Sequence, residues 1–193
     1  RGRAGAPACE LRQDIAFVTW TRITPGPIGS IANADATCAT LATAAGLHAT
    51  EWVAMLATET ASCPGEAGAG CNPLDRLDGA RGWVNTQGQP IVDTIDQLRR
   101  GELWYPIRYE EDGAGGDRDH EVATGLSFRL EAAAGFTCDD YTTVADGRRV
   151  YFARSGAVNR NALSQAPNSQ CNFPQSFLCF STDHDAPVTA PAE

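Results

Sequence analysis

Lysine is missing from this 193-residue chain: all 15 basic residues are arginine, set against 24 aspartates and glutamates. A formal charge of −9 argues against the diffuse phosphate attraction on which nucleic-acid binding rests, and equally against docking on anionic membranes. No apolar run approaches the ~20 residues that a membrane span needs. Histidine is scarce too: His48, His120 and His184 are too scattered in sequence for a zinc-ligand pattern. Also absent are a G-x-S-x-G elbow, an H-E-x-x-H helix and a glycine-rich phosphate loop. Asp139 and Asp140 are adjacent, so in an extended segment they would point to opposite faces and share no substrate. The expectation is a protein that is not an enzyme, with an unrecognised hydrolase as a second alternative.

Cysteine is plentiful. Seven residues, none in a CxxC pair, point to disulfides in an oxidising compartment and hence to a secreted or cell-surface protein. Seven is odd, so one thiol is free or joins another chain. Cys63 and Cys71 stand at the two ends of the glycine-rich loop ASCPGEAGAGC, which makes them a candidate bridge.

The chain divides into recognisable elements. Ile15–Trp20 is β-branched and aromatic and reads as a first strand, and Thr24–Ser30 is a turn cluster. In NADATCATLATAAGL the residues Ala34, Cys38, Leu41, Ala42 and Ala45 share one helical face. Asn33 suits its N-cap and Gly46 its left-handed stop. EWVAML at Glu51–Leu56 fits either a short helix or a buried strand. Gly82–Asn85 and Pro90–Asp93 flank TQGQ as a hairpin. Thr94 with Gln97 reads as a capping box, and Gly101 as the stop of a short helix. Leu103–Tyr109 reads as extended near a sheet edge because of Pro106. Further strands are expected at Val122–Leu126 and in SFLCFST, and the composition of DHDAPVTAPAE predicts a disordered tail over 183–193.

Two stretches are candidates for binding. Glu110, Glu111, Asp112, Asp117, Asp119 and Glu121 place six carboxylates within twelve residues. Calcium takes six to eight hard oxygens, and Asp117, Asp119 and Glu121 are the candidate ligands, with a solvated acidic loop as the plainer reading. Trp20, Trp52 and Trp83 read as core, whereas Trp104-Tyr105 is a candidate aromatic platform for a partner.

Four pieces in order carry a resemblance: NADATCATLATAAGL with HATEWVAML, GWVNTQGQPIVDTIDQLRRGELWYPI, GFTCDDY and SQCNFPQSFLCF. Together they resemble the endostatin domain found at the C-terminus of certain animal collagens, and the endostatin-like surface proteins of bacteria, over roughly Ile15 to Thr182. The resemblance implies an α+β, C-type-lectin-like fold: a twisted, mainly antiparallel sheet with one long and one short helix, stapled by disulfides. It implies EWVAML as strand, and nested bridges Cys38–Cys179 and Cys138–Cys171. Cys9 is then the interchain or free thiol. Residues 1–13 become a linker, with Gly2 and Gly5 in collagen-like register as the candidate end of a stalk that would make a homotrimer. Residues 14–182 become the domain. The animal domains are basic, bind heparan sulfate and hold zinc through N-terminal histidines; this acidic chain has none there, so neither heparin nor zinc is carried over. The functional expectation is a non-catalytic recognition or structural module for an extracellular protein or glycan, with no certain cofactor. The first alternative is a calcium-dependent lectin-type binder using the acidic loop.

Overall fold

The computed structural model describes residues 12–191. Cys9, and with it the stalk and the interchain bond, lies outside the described residues. The fold is mixed α+β, mostly sheet with few helices. Strands β1 (Asp14–Val18), β2 (Trp52–Ala54), β3 (Arg81–Asn85), β4 (Pro90–Thr94) and β8 (Leu178–Ser181) form one sheet in the order β2-β8-β1-β3-β4. Only the central β1–β3 pair is parallel. Strands β5 (Glu121–Ala123), β6 (Arg149–Arg154) and β7 (Ala166–Gln170) form a second, antiparallel sheet.

The five-stranded sheet is buried on both faces, which is why its strands read as continuous apolar runs rather than alternating ones. Side chains still alternate. Ile15, Phe17, Trp52, Ala54, Val84 and Cys179 face one core, and Ala16, Val18, Val53, Trp83, Leu178 and Phe180 face another. Helix α2 (Ile31–Ala44) covers the first core with Ile31, Ala34, Cys38 and Ala42.

The start of α2 differs from the sequence expectation. Its N-cap is Ser30, whose hydroxyl accepts from the Asn33 amide, while the Asn33 side chain donates to the Ile28 carbonyl. The turn cluster contains a short helix of its own, α1 (Pro25–Ile28), ended by Gly29 at φ 68°; this brings Ser30 into the extended conformation an N-cap needs. Gly46 ends α2 as expected, at φ 73°. Helix α3 (Ile95–Arg100) has both bonds of the Thr94–Gln97 capping box and stops at Gly101.

Three disulfides are formed: Cys38–Cys179, Cys63–Cys71 and Cys138–Cys171. The first ties α2 to β8, and the second closes the glycine-rich loop. The third anchors an unusual feature. Cys138, Asp139, Asp140 and Tyr141 all have φ between 50° and 62°, a left-handed turn without a single glycine. Such backbone costs roughly 1–2 kcal/mol per residue. The segment is therefore not extended, and Asp139 and Asp140 do different things. Asp140 is buried and accepts from the Glu59, Thr60 and Ala61 amides and the Thr60 hydroxyl, whereas Asp139 faces Arg148 at 3.5 Å near the surface.

Two other expectations are corrected. Leu103–Tyr109 forms no strand; Leu103, Pro106 and Ile107 are buried and draw the segment inward. The tail is held over residues 183–188. Asp183 accepts from the Thr50 amide and hydroxyl, Ala186 and Val188 are buried, and the Val188 amide donates to Asp93.

Candidate recognition groove

Strand β1 ends at Val18, and the chain then crosses the sheet end beside the acidic loop. The Val18 amide donates to the Tyr109 carbonyl, and the Trp20 amide donates to the Glu111 carboxylate at 2.9 Å. Four of the acidic loop's six carboxylates, Asp112, Asp117, Asp119 and Glu121, are exposed, while its start is built into the fold. Glu110 and Glu111 are buried, and Gln87 and Arg108 donate to the Gly113 and Gly116 carbonyls. Gly116 lies where the Tyr109 ring leaves no room for a Cβ.

This arrangement turns Trp20 outward. It is 57% exposed, not part of the core as expected, and the Arg118 guanidinium lies 5.5 Å from its ring centre. Beyond it a groove of about 740 Å³ is lined by Arg22, Arg118, His120, Arg154 and Phe173, with the carboxylates of Asp119 and Glu121 in the same wall. Phe173 is also 57% exposed. Among the described residues, no carboxylate lies within ion-pairing distance of Arg22 or Arg118, and both are exposed. Arg154 is engaged, at 3.5 Å from Asp119 and 3.3 Å from Glu121.

Beneath the groove His120 Nε2 lies 3.4 Å from Glu110 Oε1, with both side chains buried and neither atom hydrogen-bonded. Burial, aided by the nearby Asp112, raises the Glu110 carboxyl above its ordinary range; burial, aided by Arg22, lowers the His120 imidazole. Both shifts run toward the neutral forms; Arg154 shares the wall with Asp119 and Glu121, which leaves Arg22 and Arg118 as its cations without a carboxylate partner among the described residues.

The sequence-derived candidates fare unevenly. Asp117, Asp119 and Glu121 do not come together as a ligand set: Arg154 sits between Asp119 and Glu121, and Asp119 also accepts from the Gly156 amide. Trp104 and Tyr105 are half-buried, with Trp104 packed on the core and bonded through its amide to the Ile91 carbonyl, so they form no exposed platform. Arg22, Arg118, Trp20 and Phe173 were missed. The one available signal was local: Trp20 is flanked by threonines and Arg22, polar neighbours that do not continue a buried strand.

No helix among the described residues is long and apolar enough to cross a membrane. The three disulfides fit an extracellular protein. Comparison with known proteins returns no matching family model and no matching curated protein.

Proposed function

We propose that this chain is an endostatin-like domain of C-type-lectin-like arrangement, acting as a secreted, non-catalytic recognition module for an extracellular protein or glycan. The bonded pairs Cys38–Cys179 and Cys138–Cys171, together with the mixed α+β architecture, support the family reading. The observation that carries the functional reading is the groove: two exposed arginines without carboxylate partners, flanked by the exposed rings of Trp20 and Phe173. A guanidinium pair recognises a carboxylate or sulfate in a fixed geometry, and an aromatic rim covers the apolar face of a sugar or side chain. The partner therefore presents an anionic group next to an apolar surface.

The test is a binding screen against acidic glycans and extracellular matrix proteins, with wild type beside the double variant Arg22→Ala/Arg118→Ala. A binder that the double variant loses supports the groove. Binding unchanged in that variant and in Trp20→Ala removes it.

The lectin alternative has less support, because a guanidinium already occupies the space between two of the three carboxylates proposed for calcium. A hydrolytic reading draws on the buried Glu110–His120 pair. Turnover of ester, amide or glycoside substrates that disappears in Glu110→Gln would favour it over recognition.

A further inference from the structure

At the opposite end of β1 the structure assembles a group that the sequence separates by some 170 positions: Asp14, Asp183 and His184. The antiparallel register of β1 and β8, with Ala16 opposite Phe180, carries the start of β1 level with the end of β8. Ligand atoms from the three side chains all lie within 4.8 Å of one another. His184 Nδ1 is 3.2 Å from Asp183 Oδ1 and 4.0 Å from Asp14 Oδ1.

Each carboxylate is half committed. Asp183 Oδ2 accepts from the Thr50 amide and hydroxyl, both at 2.8 Å, which fixes the group and leaves Oδ1 turned to the histidine. Asp14 Oδ1 accepts from the Ser181 hydroxyl at 2.6 Å and from the His184 amide at 3.2 Å. Asp14 Oδ2 is buried and has no hydrogen-bond partner. The residue is wholly inaccessible. A buried carboxylate oxygen without a donor is costly unless something positive meets it.

We propose that Asp14, Asp183 and His184 form a binding site for a divalent transition-metal ion of the zinc class. Two carboxylate oxygens and a neutral imidazole nitrogen balance a charge of +2, and this mixed oxygen–nitrogen donor set suits zinc and its neighbours better than calcium or magnesium. Ligand atoms around tetrahedral zinc stand roughly 3.3 Å apart, so the site closes by shortening its longest edge by about 1.5 Å. Thr50 and Ser181 supply the outer hydrogen bonds that orient the carboxylates. The His48 ring meets the His184 ring edge-on at 4.8 Å and is itself tied to the Gln13 carbonyl, so it stands outside the ligand set. Bound metal would clamp the tail to the first strand.

The experiment uses the full chain, stripped with chelator and titrated with zinc by calorimetry and with cobalt by visible absorption. Wild type is expected to take one equivalent, give the absorption of a low-coordinate cobalt site, and melt at a temperature that rises with zinc. His184→Ala, Asp183→Ala and Asp14→Asn are each expected to lose at least the roughly 10–100-fold in affinity typical of a disturbed metal site, and Thr50→Ala roughly tenfold. His48→Ala is expected to bind as wild type. No heat and no cobalt band at millimolar metal would overturn the site. So would zinc binding that survives in His184→Ala, or that His48→Ala abolishes while Asp14→Asn keeps it. Asp183→Ala and His184→Ala change residues in the tail, and their melting temperatures in chelator show whether the fold is intact.

Discussion

Asp35 on α2 receives both terminal nitrogens of Arg76, at 3.2 and 2.5 Å, and the same carboxylate accepts from the Ala54 amide at the edge of β2. Both side chains are largely buried, at 16% and 13% exposure. Removing Arg76 leaves the carboxylate one remaining donor, whereas removing Asp35 orphans both the guanidinium and a strand amide. Arg76→Ala is expected to cost about 1–3 kcal/mol and Asp35→Ala more, read from urea unfolding midpoints. Equal losses would mean that the amide bond contributes nothing.

Asp140 makes stability depend on pH at the acid end. Burial alone would raise its carboxyl, but the Thr60 hydroxyl and the Glu59, Ala61 and Thr60 amides outweigh it and hold the group below its ordinary value. The folded state therefore binds this proton less readily than the unfolded state. The stabilisation is complete above about pH 4 and is lost as pH falls through the lowered folded value. Asp140→Asn should unfold at lower urea than wild type at pH 7, by about 1–3 kcal/mol, and the gap should narrow on acidification below about pH 4. A gap constant with pH would show that the carboxylate charge is not what matters.

The bridges should rank by the loops they close. Cys38–Cys179 spans 141 positions and Cys63–Cys71 only 8. Chain entropy gives about 5 kcal/mol for the first and about 2.5 for the second. Replacing each pair by alanine and titrating with denaturant tests the order, and equal losses would contradict it.

Gly82 in β3 has φ 80°, and a Cβ built there would stand 1.8 Å from the Ala186 carbonyl oxygen. Gly82→Ala should therefore expel the tail rather than unfold the sheet. Limited proteolysis is expected to cut the variant after residue 182 at protease levels that leave wild type intact. Resistance equal to wild type would mean that the strand shifts instead.

What the sequence disclosed is whatever depends on neighbours. The capping box of α3 and the stop of α2 at Gly46 are local, and each is where its residues indicate; the apolar run read as Ile15–Trp20 gives a strand that ends at Val18. The left-handed turn at Cys138–Tyr141 was invisible because no glycine marks it. It is held by Asp140 accepting from a segment some 80 residues away. The groove and the Asp14 cluster escaped for the same reason. Trp20 is exposed because β1 ends two residues before it, and His184 gains partners only because β8 pairs with β1. The calcium expectation counted carboxylates along the chain but could not place Arg154 among them.

The direction of β1 has one more consequence. Its five residues separate the Asp14 end, where the tail is also fastened, from the end that opens on Trp20 and the groove, by roughly 15 Å. Chain entry and chain exit thus share one pole of the domain, and the arginine-lined mouth occupies the other. A tether attached at that pole would stand on the far side of β1 from the mouth, so a surface or carrier held there would face away from Arg22 and Arg118.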